Sequence, residues 1–291
     1  MPRRLRLIVN PVAGGGRTLE DLPAIEGALR RLGVPFLIDH TQGLEHAQAL
    51  ARQAIAAGEV PVSHGGDGMA GAIAHALRGT RGVLGLLPGG RGNDFVRKLR
   101  IPADPVTACD VLATATPRSV DVAEVDGRTF LGIASFGIDT VVQDIANAST
   151  RLDGQLVYLY ATLRALARFK PVELELVPDD GAPRRFTGYS IAACNSGVFG
   201  GGMRLAPDAD LTDGLLDVVF YGNASKLRFL RGLTRVFRGT HLRDPIVQLL
   251  HTHEVRVDAE RSFRIYADGE PIGATPSTIR AVPRGLRVLA P

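Results

Sequence analysis

A chain of 291 residues has the length for two domains that each bury a core, and its net charge of +4 suits an anionic lipid or nucleotide without singling out either. Two cysteines far apart in sequence, Cys109 and Cys194, exclude a disulfide framework and favour a reducing compartment. No run reaches the ~20 apolar residues that span a bilayer, and Arg3, Arg4 and Arg6 precede only a short apolar stretch without the cleavage site of a signal peptide.

The first element is an apolar strand, Leu5 to Val9, running into Asn10-Pro11-Val12-Ala13-Gly14-Gly15-Gly16. A helix follows with Thr18 as its expected N-cap and Glu20 and Asp21 in its first turn. A second unit has strand Val60 to His64, the turn Gly65-Gly66-Asp67-Gly68, and a helix from Met69 to Leu77 that Gly79 ends. A third has strand Val83 to Leu87, then Pro88-Gly89-Gly90-Arg91-Gly92-Asn93-Asp94, then a helix from Phe95. Strands alternating with helices imply a mainly parallel sheet, and ligands bind beyond the carboxyl ends of its strands, where the three turns would gather. Small residues there let backbone N–H groups approach a phosphate, aided by a helix N-terminus. None of the turns has the Gly-Lys-Ser/Thr of a P-loop or the spacing of the dinucleotide fingerprint.

After about Pro117 the texture changes. Strands are expected at Val120 to Val125, Thr129 to Ala134, Val172 to Val177, Phe186 to Cys194, Leu215 to Tyr221, Glu254 to Val257 and Phe263 to Tyr266, with helices near Gln155 to Phe169 and Ser225 to Arg238. Asp268-Gly269 is a hairpin-turn signal. The expected fold is an α/β N-terminal nucleotide-binding domain with a mainly parallel sheet, residues 1–120, followed by a β-rich, sandwich-like domain, residues 121–291.

The Asn10-Pro11 loop, Gly65-Gly66-Asp67-Gly68 and Pro88 to Asp94 stand in the order and spacing of the diacylglycerol kinase catalytic-domain family, which includes bacterial lipid kinases and sphingosine kinases. Gly200 to Asp210, Asp213-Gly214-Leu215-Leu216-Asp217 and Asp268-Gly269-Glu270 extend the resemblance over nearly the whole chain. It implies an active site in the cleft between the two domains, and final residues that pack back on the first domain. It implies ATP and Mg²⁺ as cofactors, with nucleotide contacts from Asn10, Pro11, Gly14, Gly15, Gly65, Gly66, Asp67, Gly68, Gly89, Gly90, Arg91 and Asn93. Asp268 is implied as the general base, with Glu270 close by. Asp67, Asp94 and Asp121 are implied to hold Mg²⁺–ATP through water, and Asp210, Asp213 and Leu215 to form a second, structural Mg²⁺ site. Oxygen ligands of this kind are what Mg²⁺ prefers, and phosphoryl transfer needs both a metal and a proton acceptor. Two positions depart from the family: Met69 and Arg91 stand where it usually has Thr. A hydroxyl is lost at each; Arg91 can replace it as a phosphate ligand, and Met69 cannot.

The helix at 225–238 sets Phe229, Leu230, Leu233, Val236 and Phe237 on one face and Arg228, Arg231, Arg235 and Arg238 on another. It reads as an ordinary surface helix with its stripe in the core, or as a basic helix lying on an anionic membrane. The stripe Leu156, Leu159, Leu163, Leu166 reads as core, with a lipid cleft as the alternative. His251 and His253 could share a strand face, and His64 reads as local packing.

The expectation is an ATP-dependent lipid kinase with diacylglycerol as the default acceptor, cytoplasmic and peripherally associated with the inner face of the membrane. The expected partners are a membrane lipid acceptor, an anionic membrane surface and a second copy as a homodimer, with no nucleic acid. Two alternatives stay open: an NAD kinase-like enzyme, which shares a Gly-Gly-Asp-Gly turn, and a catalytically weak nucleotide- or lipid-binding regulator, suggested by Met69 and Arg91.

Overall fold

The computed structural model describes residues 3–149, 155–179 and 181–291, with the backbone alone for residues 155 and 156. The chain forms two compact units. Unit 1 takes the chain up to Val122 together with Thr129–Leu131 and Pro283–Pro291, and unit 2 takes Ala123–Arg128 and Gly132–Val282.

Unit 1 is an α/β layer structure. Its elements are β1 (Leu5–Val9), α1 (Arg17–Arg31), β2 (Phe36–His40), α2 (Leu44–Ala56), β3 (Val60–Gly65), α3 (Asp67–Leu77), β4 (Val83–Pro88), α4 (Asp94–Lys98) and α5 (Pro105–Thr114). The strands are parallel in the order β2-β1-β3-β4. Leu5, Leu7, Ile8 and Val9 are fully buried, as expected of a parallel strand covered on both faces. Helix α1 packs on α5, and α2 on α3.

Elements β2, α2 and α5 were not anticipated, and several details of the anticipated elements differ from the sequence reading. Gly16, at φ +97°, caps α1 in place of Thr18, whose hydroxyl donates back into the loop to the Asn10 carbonyl at 2.6 Å. Glu20 lies in the first turn of α1, and Asp21 just beyond it. Helix α3 starts at Asp67, two residues early, so the carboxylate of the Gly-Gly-Asp-Gly turn belongs to the helix's first turn.

Strands β5 (Pro117–Val125) and β6 (Arg128–Phe130) contribute residues to both units. Unit 2 continues with β7 (Ile133–Gly137), α6 (Ile138–Ala148), α7 (Gln155–Arg168), β8 (Val172–Pro178), β9 (Arg184–Cys194), β10 (Val198–Phe199), β11 (Met203–Arg204), β12 (Leu216–Gly222), α8 (Lys226–Val236), β13 (Val247–Thr252), β14 (Glu254–Ala259), β15 (Arg264–Ala267), β16 (Glu270–Ala274) and β17 (Ser277–Leu289). Its pairings are antiparallel: β16-β15-β7-β9-β8-β14, then the first residues of β17, with β12 paired to β9 and β13 to β12. The last residues of β17 belong to unit 1, where Arg287 and Val288 pair parallel with β4.

The expected strand Thr129 to Ala134 is two strands broken at Leu131 and Gly132. Helix α6 and strands β13, β16 and β17 were not anticipated. The Asp268-Gly269 turn joins β15 to β16 with φ of +52° and +86°, the left-handed pair that a two-residue hairpin favours. No helix among the described residues is long and apolar enough to cross a membrane.

The leucine stripe of α7 is not its core face. Leu159 and Leu163 are 54% and 46% exposed, while Val157, Ala161 and Ala165 are buried. Small residues win because α7 packs closely on α6, where Val157 and Ala161 cluster with Ala146, Val142 and Ile145. Leu166 is buried, and the side chain of Leu156 lies outside the described residues.

Candidate active site

The three glycine turns meet in unit 1. Gly89 N–H donates to the Gly65 carbonyl at 3.1 Å, and Asn10 N–H to the His64 carbonyl at 3.1 Å. A Cβ on Gly14 would lie 2.7 Å from the Gly89 carbonyl oxygen, and Gly14 also holds φ +60°. A Cβ on Gly90 would lie 2.4 Å from the Gly66 Cα. Both are below van der Waals contact, so the turns interlock through backbone alone. Gly66 is different: a Cβ there would meet only the Gly90 Cα, at 3.6 Å. It caps α3, whose first N–H groups have no partner within the helix.

Other side chains fasten the turns. Asn10 Oδ1 accepts from Val12 N–H at 3.2 Å, beside Pro11. The Asn93 amide is engaged with Gly90 in both directions, at 2.9 and 3.0 Å, so it shapes its loop. His64 is fully buried, with Nε2 3.2 Å from the Thr18 carbonyl oxygen, and burial lowers its pKa; the packing reading holds. Met69 is buried, and its Cε would lie 2.7 Å from a Cβ on Gly65. It fills space beside the turn where a threonine would offer a hydroxyl. Arg91 is exposed. Gly15 and Gly68 complete the first and second turns.

Asp67 and Asp94 come together. Asp67 Oδ1 accepts from Phe95 N–H at 3.1 Å, tying the start of α3 to the start of α4. A Cβ on Gly92 would lie 2.9 Å from Asp94 Oδ2 and 3.0 Å from Asp67 Oδ2, so both carboxylates flank one point that only glycine leaves open. Asp121 is buried in unit 1, its Oδ1 accepting from Arg284 N–H at 2.6 Å. Among the described residues no group of three or more His, Cys, Asp or Glu could hold a metal. A divalent ion at Asp67 and Asp94 would therefore complete its shell with water and ligand oxygens, which is ordinary for Mg²⁺.

In unit 2, Asp268 sits at the hairpin tip with Oδ1 accepting from Gly132 N–H at 2.8 Å. A Cβ on Gly132 would lie 2.5 Å from that oxygen and 3.8 Å from Ser196 Oγ. Glu270, two residues on, is exposed, and partial desolvation of its carboxyl raises its pKa. Asp210 and Asp213 are exposed and close Asx turns, accepting from Thr212 N–H and Leu215 N–H, each at 2.9 Å. Both are oxygen donors suited to Mg²⁺, and backbone carbonyls and water would have to complete such a site.

His251 and His253 do not pair. His251 Nδ1 lies 3.2 Å from Asp217, and His253 Nδ1 lies 2.9 Å from the Gly214 carbonyl oxygen. On α8, Arg228 is bonded to Asp244 at 2.6 Å, and Arg235 lies 4.0 Å from the same carboxylate. Phe229 and Val236 are buried, Phe229 against Tyr189 and Tyr221, while Phe237 is exposed and lies beyond the helix.

Sequence reasoning missed Gly132, Ser196 and Asp139. Asp139 stands in the first turn of α6; its carboxyl is enclosed, hydrogen-bonded by Ser190 and Ser135, and burial pushes its pKa up to about 7. Gly137-Ile138-Asp139, a strand-to-helix turn like the three in unit 1, was the available signal.

Residues 4–125 match the Diacylglycerol kinase catalytic domain family, and residues 132–290 match the YegS C-terminal NAD kinase beta sandwich-like domain family. A diacylglycerol kinase of Mycobacterium tuberculosis is 31% identical, over 99% of this chain and 95% of that protein. A diacylglycerol kinase of Bacillus subtilis is 27% identical, over 99% and 97%. A solved diacylglycerol kinase structure from Bacillus anthracis strain Sterne superposes with a TM-score of 0.77 at 19% identity, covering 100% of this chain and 97% of that one. A second structure from that strain reaches 0.84 at 21%, covering 100% and 96%. The chain belongs to the diacylglycerol kinase family of lipid kinases.

Proposed function

We propose that the protein transfers the γ-phosphoryl group of ATP to the hydroxyl of a membrane lipid, diacylglycerol by default. The interlock of Gly14 on Gly89 and Gly66 on Gly90 carries this reading. It presents backbone rather than side chains at the start of α3, the setting in which N–H groups bind phosphate oxygens. Gly65, Gly89 and Gly90 shape the turns, and Arg91 adds a cation for the phosphate chain. Asp67 and Asp94 would hold Mg²⁺ through water. The chemistry such an ion would supply when bound is neutralisation of phosphate charge. Asp268, its plane fixed by Gly132 N–H, takes the proton from the attacking hydroxyl. Because ATP is dissolved and the acceptor lies in a bilayer, the enzyme works at the cytoplasmic membrane face. Met69 folded beside Gly65 favours a second reading, a weakly active nucleotide binder.

Purified protein, labelled ATP and a panel of diacylglycerol, sphingoid bases and NAD test this directly. Label entering diacylglycerol supports the proposal; label entering NAD alone replaces it with a nucleotide kinase. ATP binding without label transfer to any acceptor leaves the weak binder.

A further inference from the structure

The run Gly200-Gly201-Gly202-Met203-Arg204 has no part in the chemistry described above, yet it grows out of the Asp268 site. Gly132, whose N–H holds Asp268, offers its carbonyl to two further amides. Asn195 N–H donates to it at 2.9 Å and Ser196 N–H at 3.1 Å. Ser196 is fully buried, and its Oγ lies 3.8 Å from the point that a Cβ on Gly132 would occupy. That same point lies 2.5 Å from Asp268 Oδ1. Two residues on, β10 begins at Val198, whose N–H donates to Ser196 Oγ at 3.4 Å. The β10–β11 hairpin therefore starts beside the carboxylate.

This hairpin has a fixed root and a slender tip. At the root, Gly197 holds φ +75°, and a Cβ there would collide with the Ala206 carbonyl oxygen. Ala206 N–H donates to the Gly197 carbonyl at 3.1 Å, and His241 Nε2 lies 2.9 Å from the Leu205 carbonyl oxygen. Leu205, Ala206, Ala209 and Leu211 are buried. Above the root, β10 and β11 form a two-stranded sheet of their own, with Val198 opposite Arg204 and Phe199 opposite Met203. The tip is Gly200, Gly201 and Gly202, at φ of +61°, +79° and +117°. Gly202 N–H reaches the Phe199 carbonyl at 3.3 Å, a long bond, and a Cβ on Gly202 would meet nothing within 4 Å. Glycines have no side chain to pack and pass readily between backbone conformations. A ribbon this short, outside the main sheet, opens at low cost.

Its side chains are not those of an idle turn. Phe199 and Met203, paired across the ribbon, are half-buried, and Met203 Cε takes the space that a Cβ on Gly200 would need. The thioether thus folds over the tip. An aromatic ring and an adaptable methionine on a movable ribbon beside a general base make an apolar cover for that base. Phosphoryl transfer to a lipid needs such a cover. A carboxylate that takes a proton from a lipid hydroxyl takes one from water too, and attack by water turns ATP into ADP and phosphate.

We propose that the β10–β11 hairpin is a flap that closes over the hydroxyl-bearing end of the lipid acceptor at Asp268. Phe199 and Met203 form its apolar underside, and Gly197 with the three tip glycines supplies the bending points. The inference rests on the lipid kinase reading and adds how that kinase keeps water from its general base.

The chain has no tryptophan, so Phe199→Trp makes a single reporter on the underside of the flap. Dioctanoylglycerol below its micelle concentration should lower acrylamide quenching of this reporter about twofold or more, and glycerol should not. In Phe199→Ala/Met203→Ala the ratio of ATP hydrolysed to lipid phosphorylated should rise about tenfold or more, with calorimetric ATP affinity unchanged. Unchanged quenching at saturating lipid, or an unchanged ratio in a double variant that binds ATP, overturns the proposal. If the double variant fails to bind ATP, the reporter decides alone. Lipid phosphorylation by wild type is scored separately. Phosphorylation without a reporter response leaves the kinase reading standing and removes the flap. A reporter response without phosphorylation of any lipid keeps the flap as a cover for bound lipid and removes the kinase reading.

Discussion

The amide nitrogen of Gly132 lies 2.8 Å from Oδ1 of Asp268, and a Cβ on Gly132 would lie 2.5 Å from the same oxygen. The residue that holds the carboxylate is therefore also the one that cannot grow. Asp268→Asn should keep the fold and ATP affinity and lower kcat by on the order of 10²–10⁴-fold. Gly132→Ala should lower kcat as well, by displacing the carboxylate, with little change in KM for ATP. Near-wild-type turnover by purified Asp268→Asn would remove Asp268 from the mechanism.

Gly66 and Gly90 face each other but should fail differently. A Cβ on Gly66 meets nothing nearer than 3.6 Å, so Gly66→Ala should fold; the methyl group then occupies the space assigned to phosphate, and ATP affinity should fall at least about tenfold. A Cβ on Gly90 collides with the Gly66 Cα, so Gly90→Ala should lose about 1–3 kcal/mol of stability from overpacking. Calorimetry and thermal melts on the two proteins separate the effects, and full ATP affinity in Gly66→Ala would sink the cradle.

Asp67→Asn retains an oxygen for Phe95 N–H but loses the charge. ATP binding in the presence of Mg²⁺ should weaken, while binding in EDTA should change little. A variant with the same Mg²⁺ dependence as wild type would show that Asp67 serves only to cap α4.

Asp139 predicts a pH effect on stability. Its pKa is about 7 in the folded protein, against an ordinary value of 3.8. Between those values the folded state keeps a proton that the unfolded state has released. Stability from this group is thus complete below about pH 4 and is lost as pH rises through 7, by on the order of 4 kcal/mol. Asp139→Asn should lack this loss, so its melting temperature should gain on wild type between pH 5 and pH 8. Parallel curves would mean that the carboxyl titrates normally.

The glycine turns were legible because each needs a residue type almost nothing else demands, and three in register point to one place. The Gly132–Asp268 contact was not, because its partners stand 136 residues apart and no local pattern links a backbone amide to a distant hairpin. The phase of α7 was misread for a different reason. Leu159, Leu163 and Leu166 have nearly the same period as Val157, Ala161 and Ala165, and only the close approach of α6 decides which face is covered. Strand β17 was hidden by Pro283 and by the left-handed Arg284, which look like a loop until Asp121 is seen to hold that backbone.

Unit 1 begins with the first strand and also claims Pro283–Pro291, where Leu286, Val288 and Leu289 are buried and Arg287 and Val288 pair with β4. During synthesis the ribosome makes every glycine turn of this unit early, yet its sheet stays one strand short until residues 283–289 have been made. A nascent chain stalled before residue 283 would carry all the phosphate-turn residues on an open sheet edge beside β4. Competence to bind nucleotide should therefore arise only once residues 283–289 have emerged from the ribosome, and not when the last glycine turn does.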